Sequence, residues 1–116
     1  MKHPIVYIAG KITDVDPAQV AINIAVAARY TLLLWRQGYN VYCPHLATDF
    51  PGNSEFSWER YLRLDTEILK KVCVAVFMIP ENWRTSKGAR REHRLAKRLG
   101  KPIFYSLEDA VRWLRR

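Results

Sequence analysis

Several features that define common protein classes are scarce or absent in this sequence. It has only two cysteines, Cys43 and Cys73, and neither belongs to a paired motif, which excludes a disulfide framework and indicates reduced structural thiols. His3, His45 and His93 show no ligand spacing with cysteine or acidic neighbours. The GxGxxG and P-loop patterns are missing, so classical dinucleotide or nucleoside triphosphate binding is not indicated. We therefore expect neither a metal site nor a cofactor.

Signals for export and for membrane insertion are also lacking. No apolar run is long enough to span a bilayer, and the first residues lack the long apolar region and cleavage site of a signal peptide. The chain has 116 residues, of which 49% are hydrophobic, so it accommodates one core. We expect a cytoplasmic protein that forms one domain over residues 1–116, with no membrane contact.

The net positive charge of the chain comes entirely from its second half. Residues 1–58 carry four basic and four acidic residues, whereas residues 59–116 carry fifteen basic and seven acidic ones. Much of this excess lies on the solvent face of a predicted helix over 86–99. Such a face can bind nucleic acid, but no aromatic interleaving or nucleic-acid motif accompanies it. A solvated helix face is therefore the favoured interpretation, and nucleic-acid binding is a third possibility.

Short apolar runs alternate with helical patterns along the chain. The runs predict strands over 4–9, 40–43, 73–79 and 102–105, and the patterns predict helices over 18–37, 58–72, 86–99 and 107–114, with a loop over 45–57. This alternation predicts a parallel sheet with right-handed crossovers. The predicted fold is α/β, a single-domain, three-layer, doubly wound sheet of the Rossmann or flavodoxin type, with four to five strands in the order 2-1-3-4. Ligands bind such sheets beyond the carboxyl ends of the strands, at the switch point between strands 1 and 3.

Two carboxylates occupy helix positions where apolar side chains are expected. At about 100° per residue, Asp65 falls at the centre of an apolar stripe that runs from Trp58 to Val72. Glu92 falls inside the stripe of the helix over 86–99, whereas Arg91 and the other cations of that helix point away. Because a buried, unpaired carboxylate is costly, such residues are paired or line a polar cavity. The two carboxylates therefore predict a site.

An anion-binding helix end is predicted beside Glu92. Ser86-Lys87-Gly88-Ala89 starts its helix with small residues, so a ligand can approach the free N–H groups there. Gly10 and Lys11 follow the first strand and so lie at the same edge of the sheet. Tyr7, near the end of that strand, can present its hydroxyl to a polar group at the site, although a buried core tyrosine has the same pattern.

Several blocks spread over almost the whole chain form a recognisable set, namely Tyr7-Ile-Ala-Gly10, Gly38-Tyr-Asn-Val-Tyr-Cys-Pro44, Asp65, the strand that follows Leu69 at Cys73, and Ser86-Lys-Gly-Ala-Arg-Arg-Glu92 with the following Ala96 and Leu99-Gly-Lys-Pro102. Together these blocks resemble the nucleoside 2-deoxyribosyltransferase-like superfamily, and its short phage and bacterial members of undefined function in particular.

The resemblance implies a role for each matching residue. Glu92 matches the nucleophile that attacks the anomeric carbon of a (deoxy)riboside, and Tyr7 matches the tyrosine that orients it. Asp65 matches the aspartate that donates a proton to the base or recognises it. Ser86 stands where relatives that hydrolyse nucleoside monophosphates contact the 5′-phosphate. Lys11 departs from the pattern, because relatives carry proline there.

The sequence thus predicts cleavage or transfer at the N-glycosidic bond of a nucleoside or nucleoside 5′-monophosphate. The alternative is a non-catalytic module that binds a nucleotide or a partner on the same fold. The helix over 18–37 is apolar nearly all round, and its face with Tyr30 and Leu33 would be exposed in a monomer. This pattern predicts a homo-oligomer, most simply a dimer that pairs this helix.

Overall fold

One parallel sheet forms the centre of the molecule in the computed structural model, which describes residues 2–116. Its strands are β1 (Ile5–Ala9), β2 (Asn40–Tyr42), β3 (Ala75–Met78) and β4 (Ile103–Phe104), in the order β2-β1-β3-β4. The helices are α1 (Pro17–Gln37), α2 (Pro44–Ala47), α3 (Trp58–Lys71), α4 (Lys87–Arg98) and α5 (Leu107–Leu114). This confirms the predicted α/β class, the parallel sheet and the strand order.

Alternate residues of the central strands face two separate cores, which makes three layers. On one side of the sheet, Val6 and Ile8 of β1 pack with the buried Ala27 and Leu34 of α1 and with Ala110 of α5. On the other side, Tyr7 and Ala9 pack with Leu69 of α3 and with Ala89 and Ala96 of α4. Because β1 and β3 lie between these cores, their residues are buried on both faces, as their uninterrupted apolar sequence predicts.

Side-chain caps fix where the long helices begin. Asp16 accepts a hydrogen bond from the Ala18 N–H at 2.9 Å, and Ser57 accepts one from the Arg60 N–H at 3.1 Å. Helix α1 ends at Gly38, whose φ of 112° lies in the left-handed region that glycine tolerates best. These caps agree with the helix boundaries expected from the sequence to within a residue.

Two local expectations were wrong. The stretch 45–57 is not all loop, because the short helix α2 covers its start and a 3₁₀ turn spans Asn53–Glu55. Trp58 and Val72, which the helical pattern places on the buried stripe of α3, are 62% and 47% exposed. Both lie at the ends of the helix region, where the sheet no longer covers the stripe.

Helix α1 also departs from the expectation about membranes. By length and composition it is long and apolar enough to cross a bilayer, contrary to the expectation that the chain holds no such segment. That test alone is weak, since a core helix of a soluble fold also passes it. Only three of the 21 residues of α1, namely Asn23, Ala27 and Leu34, are buried, so the helix lies mostly at the surface of the fold.

Candidate active site

A cavity of about 580 Å³ lies where the strands end, a volume typical of small-molecule sites. The segments that follow β1, β2 and β3 form one side of it, and α3 and α4 form the other. This is the carboxyl edge of the sheet, where α/β folds bind ligands. The side chains that carry its chemistry are Lys11, His45, Trp58, Asp65, Ser86, Arg91 and Glu92.

Glu92 lies on α4 in the wall of the cavity and accepts a hydrogen bond from a side chain of β1. The Tyr7 hydroxyl donates to Glu92 Oε2, and the Tyr7 side chain is fully buried among core residues. Burial raises the pKa of Glu92 to about 8, and the nearby Asp65 carboxylate adds to that shift, whereas the Tyr7 hydrogen bond opposes it. The tyrosine therefore fixes the carboxyl in place and favours its charged form.

Asp65 forms a second pair of the same kind with a tyrosine from β2. The Tyr42 hydroxyl donates to Asp65 Oδ1 at 2.7 Å, and Asp65 is 9% exposed. Burial raises the pKa of Asp65, while the Tyr42 hydrogen bond and the Arg91 charge oppose that shift. Tyr7 and Tyr42 are register partners in adjacent strands, with ring centroids 5.7 Å apart. The sheet thus holds two tyrosine–carboxyl pairs side by side.

The titration of Glu92 depends on its neighbour Asp65. The Asp65 charge raises the cost of ionising Glu92, and the larger pKa shift belongs to Glu92. The pKa of about 8 means that Glu92 retains its proton at neutral pH in the free protein. A retained proton and a second carboxyl group in the same cavity are what acid-assisted nucleophilic chemistry requires.

The end of the cavity at the start of α4 is suited to an anion. The first turn of α4 lines it with Ser86, Lys87, Gly88 and Ala89, and Ser86 caps the helix by accepting from the Ala89 N–H at 3.1 Å. A Cβ at Gly88 would contact only Ser86 Oγ at 3.9 Å, so the cavity is open at this glycine. Free N–H groups and the helix dipole favour negative charge there.

The β1–α1 loop closes that end of the cavity and is tightly held. A Cβ at Gly10 would lie 2.4 Å from Ile79 Cδ1, so only glycine fits between β1 and the end of β3. The Lys11 N–H donates to Asn82 Oδ1 at 2.9 Å, and its carbonyl lies 2.9 Å from Nε2 of the buried His45. The Lys11 ammonium pairs with Asp14 at 3.3 Å, so part of its charge is already compensated.

Aromatic side chains form the remaining wall. Trp58, Tyr61 and Leu62, from the first turns of α3, line the cavity, and Trp58 is 62% exposed. Arg91 also lines it and lies 3.4 Å from Thr66 Oγ1, so the expectation that Arg91 points away was wrong. The cavity lies beyond the end of the sheet, so a residue on the flank of α4 reaches it without lying on the buried stripe.

The structure brings the predicted site residues together. Asp65, Glu92, Gly10, Lys11 and the turn 86–89 all line the cavity, and Tyr7 lies beneath it, bonded to Glu92. Sequence reasoning missed Tyr42, His45, Trp58 and Tyr61 as site residues. Tyr42 and His45 stand at the end of the second strand and just after it, a position that predicts proximity to the site, but nothing local indicates their partners. Within residues 2–116, no group of three histidine, cysteine or acidic side chains is placed to hold a metal ion.

The parallel sheet in the order 2-1-3-4, with helices on both of its faces, is a flavodoxin-like α/β fold. A 2-deoxyribosyltransferase from the psychrotolerant bacterium Bacillus psychrosaccharolyticus superposes with a TM-score of 0.64 at 20% identity, over 85% of this chain and 69% of that one. A conserved protein from Enterococcus faecalis V583 superposes with a TM-score of 0.61 at 18% identity, over 87% of this chain and 61% of that one. At these identities the likeness shows the fold.

The sequence places the chain in a family. Residues 4–105 match the model of a domain of unknown function, DUF4406, and the chain belongs to that family. No curated protein matches the chain significantly.

Proposed function

We propose that this protein cleaves or transfers the N-glycosidic bond of a nucleoside 5′-monophosphate, with Glu92 as nucleophile and Asp65 as the proton donor to the base. The observation that carries the proposal is the pair of tyrosine-bonded carboxyl groups in one cavity, next to an anion-binding helix end. A carboxylate can capture the positive charge that develops on the sugar, and a protonated carboxyl can help the base to leave. The fold shared with a 2-deoxyribosyltransferase supports the same class of substrate.

The chemical steps balance without a cofactor. Glu92 attacks the anomeric carbon and forms a glycosyl ester, while the C–N bond breaks and its electron pair stays on the base nitrogen. Asp65 gives its proton to the base. Water, or an acceptor base in a transferase, then attacks the anomeric carbon, frees the Glu92 carboxylate and returns a proton to Asp65.

The retained proton must lie on Asp65 when the bond breaks. In the free protein the larger pKa shift of Glu92 holds that proton on Glu92. Positive charge that develops on the sugar beside Glu92 favours the ionised form of Glu92. In the transition state the proton is therefore favoured on Asp65 rather than on Glu92. Tyr7, which donates to Glu92 Oε2, supports the same ionised form.

The two ends of the cavity give the substrate a direction. The 5′-phosphate lies against the first turn of α4, where Ser86, Lys87 and the backbone N–H groups favour an anion. The base lies toward Trp58 and Tyr61, whose rings offer a stacking surface, and the sugar lies between, within reach of Glu92. Gly88 and Ala89 leave room for the ligand to approach the backbone.

Incubation with pooled nucleosides and nucleoside 5′-monophosphates, followed by mass-spectrometric detection of released bases, tests the proposal. We expect free base from at least one monophosphate and a smaller yield from its nucleoside. A non-catalytic nucleotide-binding module gives ligand-dependent thermal stabilisation without base release. Steeply salt-dependent DNA binding without base release points instead to the basic face of α4.

The proposal also covers the location, domain organisation, cofactor requirement and assembly of the protein. We propose one cytoplasmic domain over residues 1–116 that works without metal or cofactor and assembles as a homo-oligomer. Its partner molecule is a small nucleotide, and neither nucleic acid nor a membrane is required for the reaction.

A further inference from the structure

The proposed mechanism gives no role to the hydrogen bond between Tyr42 and Asp65. Tyr42 lies at the end of β2, and its hydroxyl donates to Asp65 Oδ1 at 2.7 Å. Asp65 Oδ2 makes no hydrogen bond or ion pair to the described residues 2–116, yet it is not among their enclosed, unsatisfied polar atoms. One carboxyl oxygen is thus occupied and the other is available to a ligand in the cavity.

We propose that Tyr42 is a positioning residue that occupies Asp65 Oδ1 and so leaves Oδ2 to carry the proton to the departing base. A hydroxyl that donates to one carboxyl oxygen disfavours a proton on that oxygen, because a protonated carboxyl oxygen is a weaker hydrogen-bond acceptor than the unprotonated one. The proton is then confined to the oxygen that faces the substrate. This inference rests on the proposed function, since it assigns how Asp65 serves as the acid.

The rigid sheet makes this positioning effective. Tyr42 pairs in register with Tyr7, so the tyrosine that holds Asp65 and the tyrosine that holds Glu92 are fixed to each other by the β1–β2 ladder. Their rings lie 5.7 Å apart. A site built on adjacent strands keeps its two carboxyl groups in fixed relative positions more precisely than a site on loops.

Leaving-group dependence of the Tyr42→Phe variant tests the proposal. We expect base release from an ordinary purine monophosphate to fall at least about tenfold in kcat with little change in KM, since general acid catalysis contributes about 10²–10⁴-fold. A 7-methylguanosine monophosphate carries a cationic base that leaves without protonation. For that substrate we expect the loss to be much smaller.

A double-mutant cycle shows whether Tyr42 acts through Asp65. We expect Asp65→Asn with Tyr42→Phe to be no slower than Asp65→Asn alone. Tyr30→Phe is the matched control, because the Tyr30 hydroxyl donates to Glu81 at 2.7 Å away from the cavity, and it should keep full activity. Unchanged kcat in Tyr42→Phe, equal losses on both substrates, or additive losses in the cycle would each overturn the proposal.

The pH dependence of the rate gives a second readout. The Tyr42 hydrogen bond lowers the pKa of Asp65, so its removal should raise that pKa and move the basic limb of the rate profile, where the proton donor is lost, to higher pH. The titratable or charged groups around Asp65 are Tyr42, Tyr7, Cys43, Arg91 and Glu92.

Carboxyl carbon resonances report the same pKa in a protein without activity. If wild-type protein releases no base, the proposed function fails, and the titration of Asp65 in wild-type protein and in Tyr42→Phe still tests the contact. An Asp65 pKa that is identical in the two proteins contradicts the assignment of Tyr42.

Discussion

At the scale of single residues, the chemistry depends on a carboxyl group that the fold does not favour in its charged form. The pKa of Glu92 is raised to about 8 by burial and by Asp65, against an ordinary value near 4.3. A carboxyl whose pKa is raised in the folded state destabilises that state as it ionises. The ionised Glu92 therefore lowers the stability of the folded state, a cost that its proposed role as nucleophile explains.

This raised pKa predicts that Glu92→Gln stabilises the protein in a pH-dependent way. At pH 4 both forms are neutral and should unfold at similar temperatures. As pH rises from about 4.5 to about 8, wild-type protein loses stability relative to the variant, by a few kcal/mol in total, and the difference is constant above the Glu92 pKa of about 8. Thermal unfolding at several pH values measures it.

An equivalent pair at the surface provides the control. Glu81 also accepts a tyrosine hydrogen bond, from Tyr30, but is exposed. Glu81→Gln should show no comparable rise in stability between pH 4 and pH 8. A Glu92→Gln variant that is less stable than wild type at pH 8 would show that Glu92 is a structural partner of Tyr7.

At the scale of elements, α4 joins the two halves of the site. Its N-terminus offers the anion site, and Glu92 lies in its second turn, on the flank that meets β1. Phosphate and anomeric carbon are a fixed distance apart in a nucleotide, so one rigid helix can set both contacts.

Ser86→Asp should therefore change substrate preference without unfolding α4. Aspartate caps helices as well as serine does, so the hydrogen bond to the Ala89 N–H is kept, but the new charge lies at the proposed phosphate site. We expect KM for 5′-monophosphates to rise about tenfold or more while KM for nucleosides stays nearly constant. Steady-state kinetics on matched nucleotide and nucleoside pairs measure the change.

Ser57→Asp is the corresponding control at the start of α3. Ser57 caps that helix in the same way, accepting from the Arg60 N–H at 3.1 Å, and does not line the cavity. It should leave the preference between nucleotide and nucleoside unchanged. Equal responses to the two substitutions, or equal efficiency of the parent protein on both substrate forms, would contradict a phosphate at Ser86.

The elements themselves were largely predictable because their signals are local. The helical periodicity of apolar residues and the capping residues indicated α1, α3, α4 and α5. Uninterrupted apolar runs indicated the central strands. The helix α2 was missed because a single turn after Pro44 has no period to detect. The exposure of Trp58 was missed because a helical projection assumes that the sheet covers the whole helix.

The site was predictable where a residue broke a pattern or stood at a strand end or helix start, as Gly10, Lys11 and Ser86 do. Asp65 and Glu92 stood out as charges on apolar stripes, whereas Tyr42 and Trp58 look like ordinary core aromatics in the sequence. Their roles depend on which strands are adjacent and on where the sheet ends. Those are consequences of the tertiary fold, which composition and spacing do not contain.

At the scale of the whole molecule, α1 leaves an apolar surface uncovered. Ile22, Leu32 and Trp35 are 53%, 50% and 51% exposed. The face predicted to be free was a different one, because Tyr30 packs against Phe77 with ring centroids 5.1 Å apart, and Leu33 is half-buried. Leu32 and Trp35 are three residues apart and so lie on one side of α1, and we propose that this pair forms the surface that contacts a second copy.

We therefore predict that the protein is a dimer through this surface of α1. Light scattering at micromolar concentration should give twice the monomer mass of 13.6 kDa. Leu32→Glu with Trp35→Glu should give a folded monomer, since both side chains are half-exposed and the charges meet across a two-fold axis. A monomeric wild type, or an unchanged dimer in the double variant, would contradict this interface.

The rate of base release by wild-type protein and Glu92→Gln, measured side by side on a nucleoside 5′-monophosphate, tests the central claim most directly. Glutamine keeps the size of the side chain and can accept from Tyr7, so the fold is retained while the nucleophile is lost. The account predicts at least about a hundredfold lower rate for a folded Glu92→Gln, as loss of a nucleophile costs that or more, and a normal rate for Glu81→Gln. A folded Glu92→Gln that releases base at the wild-type rate would contradict it.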